Sequence, residues 1–296
     1  MPNPAFGFIR FMFFTFNYGR RCLAGAAVMG LISAALPTAP ITTEQLTTRM
    51  IAAINGLQYL RCNVKAQERI GNSIKVARSQ MKLGFKPLKI YIKNDRGVEV
   101  LYVTGQNDGD AWVYPAAFPY VTLSLDPEGS LMRKGQHHSV VQAGYGTIND
   151  LLRTSGTRID NGFTRAFHYV GDSVVQGHPH HVLRADYPQF RYLKYKVGRG
   201  ETIRSIAEKY GCGPFRIMEK NALSIDATLA EGKILLVPNA YGRKVVLCID
   251  PKTYLPNVVV VTDDNGLYES FEFTQVIPNQ PIPAAEFSTD YKAYKL

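Results

Sequence analysis

The chain changes its hydrophobic period several times. Leu46, Met50, Ala53, Ile54 and Leu57 recur on one face at helical spacing, and Thr42 and Gln45 stand at capping-box spacing in front of them, so residues 42–57 are predicted to form an amphipathic helix that weakens at Gly56. From Tyr59 the period becomes two. Strands are predicted at Tyr59–Ile70, Ile74–Leu83, Leu88–Lys93, Val98–Thr104, Ala111–Tyr114 and Tyr120–Leu125. Gly71-Asn72-Ser73, Asn94–Gly97, Asn107–Gly109 and Asp126–Gly129 punctuate them as turns. Long strands joined by tight turns predict one antiparallel meander that curls. A helix is expected at Thr147–Thr154, then strands at Phe163–Val170 and His181–Ala185. The same period returns at Arg243–Ile249, Asn257–Thr262 and Leu267–Val276, around the turns Asp250–Thr253 and Asp263–Gly266.

Between these two β regions the pattern is different. Tyr195–Val197 reads as a short strand broken by Gly198 and Gly200. Thr202 is placed to cap a helix whose apolar face is Ile203, Ile206, Ala207 and Tyr210, with Gly211 as its stop. Pro214 opens a second short helix with Phe215, Ile217 and Met218 as its apolar face and Asn221 at its end. Lys233–Val237 is a second strand, closed by Pro238. A β-α-α-β unit whose two strands pair brings its ends together, so it is expected to replace a hairpin loop of the surrounding β domain.

The landmarks Tyr195-x-Val197, Gly200-Glu201-Thr202, Ile206-Ala207, Tyr210-Gly211, Asn221, Leu229-x-x-Gly232 and Leu236-Val237-Pro238 resemble a LysM domain. The resemblance implies non-catalytic binding of peptidoglycan or another glycan containing N-acetylglucosamine. It places one wall of the groove at Gly200, Glu201, Thr202 and Ile203 and the other at Ala222, Leu223, Ser224 and Ile225. Cys212 stands where the family carries a small aliphatic residue, and a buried thiol behaves as one.

The flanking β regions resemble the outer-membrane lipoprotein carrier (LolA-like) superfamily through Lys89-Ile90-Tyr91-Ile92, Gly97-x-Glu99-Val100-Leu101-Tyr102-Val103, Leu125-Asp126-Pro127-x-Gly129, Ile249-Asp250-Pro251-x-Thr253-x-Leu255-Pro256 and Asp264-x-x-Gly266-x-x-Glu269. That resemblance implies a curved antiparallel sheet, a half-barrel with plugging helices round an apolar cavity, and a lipid or lipidated partner. The expected fold is therefore α+β, mainly β. Its β domain is discontinuous (42–192 with 241–296), and a βααβ module is inserted at 193–240.

Composition adds a compartment. In residues 1–41, Arg20-Arg21 precede the apolar run CLAGAAVMGLISAALPTAPI, which ends in small residues: the shape of a signal peptide, with an uncleaved anchor as the alternative. Export to the periplasm or envelope of a bacterium is expected, with membrane contact through this segment. The formal charge is +10, and removing the three leader arginines leaves 10 − 3 = +7. Such a surface favours anionic partners, but no Lys/Arg stripe or nucleic-acid motif is present, so no nucleic acid is expected. Four cysteines, one of them Cys22 in the leader, have no CxxC spacing and leave Cys62, Cys212 and Cys248 as an odd set, with a Cys62–Cys248 bridge left open.

Catalytic signatures are missing: there is no GxSxG elbow, P-loop, HExxH or GxGxxG after a strand. No enzyme activity, cofactor or metal is expected. His178, His180 and His181 read as a turn entering a strand, and His137-His138 reads the same way. The function expected is an envelope binding protein, glycan on one module and lipid or lipoprotein on the other. The alternatives are a wall hydrolase or transpeptidase with an unrecognised site, and an interaction scaffold whose cavity is filled by its own side chains.

Overall fold

The computed structural model describes residues 41–146, 148 and 167–296. The expected leader, most of the helix predicted at Thr147–Thr154 and the start of the strand predicted at Phe163–Val170 lie outside the described residues. Among the described residues no helix is long and apolar enough to cross a membrane.

The fold is mainly β. An amphipathic helix, α1 (Thr43–Asn55), opens it. Thr42 and Gln45 cap that helix reciprocally, and Gly56 closes it. A meander follows: β1 (Tyr59–Ile70), β2 (Ser73–Phe85), β3 (Leu88–Asn94), β4 (Glu99–Val103), β5 (Ala111–Tyr114) and β6 (Leu123–Leu125). The last strand is shorter than the apolar run predicted, because Tyr120 sits in the left-handed region at φ 54°, where a strand cannot begin. β7 (Phe167–Val175), β8 (His178–Asp186), β11 (Lys244–Ile249), β12 (Pro256–Asp263) and β13 (Gly266–Pro278) complete a curved, open sheet in the order β6-β5-β4-β3-β2-β1-β13-β12-β11-β8-β7. Every neighbouring pair is antiparallel. The first strand and the last meet at its centre, with Ala66 opposite Phe271.

One face of the sheet carries the main core. β1 alternates buried and half-buried positions, so Leu60, Cys62 and Val64 point to that face. There they meet Leu46, Met50, Ile54 and Leu57 of α1 and its end, with Val245, Leu247, Ile249, Val259 and Val261 from the other half of the sheet. Burying each large aliphatic side chain stabilises by roughly 1.5–3 kcal/mol. β6 and β7 lie at opposite edges, so the chain between them must cross the molecule. Val140, Tyr145 and Ile148 of that crossing belong to the same core as α1. On the opposite face the C-terminal segment packs Ile282 and Phe287 against Tyr91, Leu101 and Val103, and Tyr294 stacks on Tyr91 at 3.7 Å.

A separate two-stranded sheet, β9 (Tyr192–Lys196) with β10 (Ile234–Pro238), frames two helices, α2 (Ile203–Tyr210) and α3 (Pro214–Asn221). This β-α-α-β unit runs between β8 and β11, which are themselves neighbours in the large sheet. Entry and exit are tied together: Asn239 N–H donates to the Arg191 carbonyl at 3.0 Å, and Arg191 N–H to Asn239 Oδ1 at 2.9 Å.

Candidate functional site

The small unit builds its groove from local rules. Thr202 caps α2 together with Ser205, and Gly211 ends it at φ 58°. Val197, Ile203, Ile206, Ala207, Ile217, Ile225, Leu235 and Val237 form its own core. Asn221 serves as a substitute strand: its side chain donates to the Ile217 and Leu236 carbonyls and accepts from Leu236 N–H at 2.8 Å. The loop before α2 is shaped by Glu201, whose carboxylate accepts from Gly198 N–H at 2.8 Å and Tyr195 Oη at 2.7 Å. The Tyr195 hydroxyl and the Gly198 amide hold that carboxyl below its usual range. A Cβ at Gly198 would lie 3.3 Å from the Glu201 carboxylate, so a side chain there would press on the group that shapes the loop.

The eight residues of the two walls divide into three groups. Gly200, Thr202, Ala222 and Ser224 are exposed, and Leu223 is half-buried. Glu201 is half-buried and committed to its own loop. Ile203 and Ile225 are buried in the shared core, so both walls rest on one set of apolar contacts while those two side chains point away from solvent. Phe215 departs from the helical-face prediction: it packs on the main sheet core, and Ile217 fills the place inside the module.

Among the described residues, three side-chain hydrogen bonds seat the module on the β domain. Arg204 Nη2 donates to the Glu128 carbonyl at 2.8 Å, Gly71 N–H to Glu219 Oε1 at 2.7 Å, and Arg216 Nη1 to Asp263 Oδ2 at 2.9 Å.

Beside this seat, four side chains from three distant stretches of the chain converge. Glu68 (β1) and Glu269 (β13) are neighbours by strand pairing. His137 and His138 do not enter a strand; they lie in the crossing from β6 to β7, where Ser139 follows and caps a short 3-10 turn at Val140–Gln142. His137 Nδ1 is 2.7 Å from Glu269 Oε2, and His138 Nε2 is 3.0 Å from the same oxygen. His137 N–H donates to Glu68 Oε1 at 2.8 Å, and Tyr241 Oη donates to Glu269 Oε1 at 2.5 Å. Against its burial, the charge and hydrogen bonds of His138 and His137 hold the Glu269 carboxyl far below the usual range. The His137-His138 pair is visible in the chain, but its carboxylate partners are not, because Glu68 and Glu269 come together only through the β1–β13 pairing.

The other histidines are also resolved. His178–His181 lie wholly within β8; His180 is buried against Asn257, and His181 Nδ1 lies 2.5 Å from Asp172 Oδ1 of β7. Cys62 and Cys248 are separate thiols on strands with two others between them.

Residues 58–196 match a family model described as a protein of unknown function (DUF1571), and residues 195–238 match the LysM domain model. Residues 195–238 are a LysM domain. No curated protein matches the chain. Among solved structures, the chain is similar to MucB in the MucA/MucB complex of Pseudomonas aeruginosa: 14% identical, TM-score 0.40, covering 83% of this chain and 60% of that one. Similarity to the lipoprotein LppX of Mycobacterium tuberculosis is 10% identity with TM-score 0.38, over 81% of this chain and 97% of that one. A LolA superfamily protein from Nitrosomonas europaea is 12% identical with TM-score 0.29, over 85% of this chain and 100% of that one.

Proposed function

We propose that this chain is an exported, non-catalytic binding protein of the bacterial envelope, held to peptidoglycan through the LysM domain. The observation that carries the reading is the LysM domain itself, with Gly200, Thr202, Ala222 and Ser224 exposed on two segments that share one core. Exposed backbone and small side chains on a rigid base suit the flat, N-acetyl-bearing face of a sugar. In this reading residues 1–41 are the leader, 42–192 with 241–296 the β domain and 193–240 the glycan module. A binding role is supported by the cysteines: burial pushes the Cys62 thiol up to about 12 and Cys248 to about 11, away from the thiolate a transpeptidase needs.

Sedimentation with purified insoluble peptidoglycan tests it. The exported chain should pellet with the wall, and Ser224→Trp, which fills the groove from an exposed position, should stay in the supernatant. Equal pelleting of both, or of neither, sinks the assignment.

For the β domain we propose a lipid or lipidated partner that engages only when α1 moves. Leu46, Met50 and Ile54 occupy the face where an acyl chain would lie. A titration with a fluorescent acyl probe decides: saturable binding supports a carrier, and its absence leaves the sheet as an interaction scaffold with a self-filled core.

A further inference from the structure

We propose that Glu68, His137, His138 and Glu269 form a structural site for a divalent transition-metal ion, zinc being the best fit. The four donor atoms lie within 4.8 Å of one another, each from a different side chain. The separations measured between individual donors are 2.7 Å and 3.0 Å from Glu269 Oε2 to the two imidazoles, and 3.9 Å from Glu68 Oε1 to His137 Nδ1. Donors about 2.1 Å from a common ion stand roughly 3 to 3.5 Å apart at right-angled to tetrahedral geometry, so small rotations of these side chains suffice to surround one. Two imidazoles with two carboxylates are a donor set for zinc, with manganese and iron(II) next; calcium and magnesium favour oxygen alone.

The surroundings are those of a metal site. His137 Nε2 is 2.9 Å from the Arg69 carbonyl; with an ion on Nδ1 in place of the proton shared with Glu269 Oε2, the Nε2–H would donate to that carbonyl and fix the ring. The amide of His137 orients Glu68, and the Tyr241 hydroxyl orients Glu269. The His137 ring is clasped between Tyr268 at 4.1 Å and Phe215 at 4.5 Å, which keeps the cluster dry. His138 and Glu68 retain side-chain exposures of 14% and 11%, enough for an ion to enter. Two buried carboxylates carry two negative charges, and the guanidiniums of Arg69 and Arg216 are directed at Asp263 instead. One divalent cation between neutral imidazoles balances the pair.

The ion would join β1, β13 and the β6–β7 crossing, and would touch the base of the LysM domain through Phe215 and the segment leaving it through Tyr241. Its role is to lock the domain's seat.

The test uses the whole exported chain, stripped with chelator and dialysed. Zinc is added and bound metal is counted by elemental analysis, with Co2+ as a spectroscopic probe. The proposal expects one tightly held zinc per chain, ligand-field bands on Co2+ addition that zinc abolishes, and a higher melting temperature with zinc than with chelator. His138→Ala, at the most exposed ligand, should weaken zinc affinity by at least about 10–100-fold while circular dichroism stays unchanged. Glu269→Gln should do the same where it folds. A folded wild-type chain that binds no zinc at one equivalent and melts alike with zinc and chelator overturns the proposal, and so does undiminished binding by folded His138→Ala. In those cases the cluster is a hydrogen-bond network only.

Discussion

Arg216 of the LysM domain is bonded to Asp263 of the large sheet at 2.9 Å, with its guanidinium 3.3 Å from the centre of the Tyr268 ring. The side chain is 1% exposed, so a full charge from one module is buried against the other. Burial of this kind is tolerated only with a partner in place. Asp263 also binds Arg69, and both arginines hold its carboxyl below the usual range against desolvation.

Removing that arginine should therefore loosen the seat. Arg216→Ala is expected to destabilise by roughly 3 kcal/mol in denaturant melts, because it leaves a cavity over Tyr268 and Asp263 with one cation instead of two. Limited proteolysis should gain cuts in the linkers at 187–191 and 239–243. Unchanged stability and protection would mean that the module is held by its other contacts.

A pH dependence is expected from Glu286. Arg61 binds it through two nitrogens at 3.0 and 2.8 Å and Lys82 at 2.6 Å, which lowers the Glu286 carboxyl to about 2, the Arg61 hydrogen bonds being the largest cause. In the unfolded chain the group titrates near 4.3, so between these values the unfolded state holds more protons. Stability conferred by the pair is present at neutral pH and is lost as pH falls through about 4 towards 2. Glu286→Gln should flatten that part of the stability curve, by on the order of 2 kcal/mol. An identical acid limb in the variant would refute the assignment.

Helix α1 supplies a packing test. Met50 is 0% exposed under the sheet, and Met50→Ala should cost about 2–5 kcal/mol through lost transfer energy and the residual cavity. The same variant should bind an acyl probe at least as well as wild type where α1 is the plug over a lipid site, and no better than background where the core is merely self-filled.

A smaller effect is expected at the start of that helix. Thr42→Ala removes the capping box, in which the Thr42 hydroxyl accepts from Gln45 N–H at 3.1 Å. About 1 kcal/mol should be lost, lowering the melting temperature by about 2–4 °C. Restoring the cap with Thr42→Ser should recover most of it.

What the sequence made legible was local. Thr202, Gly211 and Pro214 each act within a turn or two, so the helices of the LysM domain stand where their caps put them. The ends of β1 and β5 follow their flanking turns for the same reason. Contacts made by distant strands left no trace in spacing. His137 and Glu269 are 132 residues apart, and only the β1–β13 register brings the carboxylates together. Phe215 shows a related limit: helical periodicity identifies an apolar face but not which of two cores that face meets.

The pairing of β1 with β13 also governs when the protein can fold. A chain emerging from a ribosome presents β1 early, yet its central partner is made only with residues 266–278. Until then the sheet is two unjoined halves with open edges, and contacts of this sequence separation form slowly. Synthesis and folding are thereby separated in time. A nascent chain cut short before residue 266 would keep its sticky seam uncovered and be recognised by proteases as unfinished.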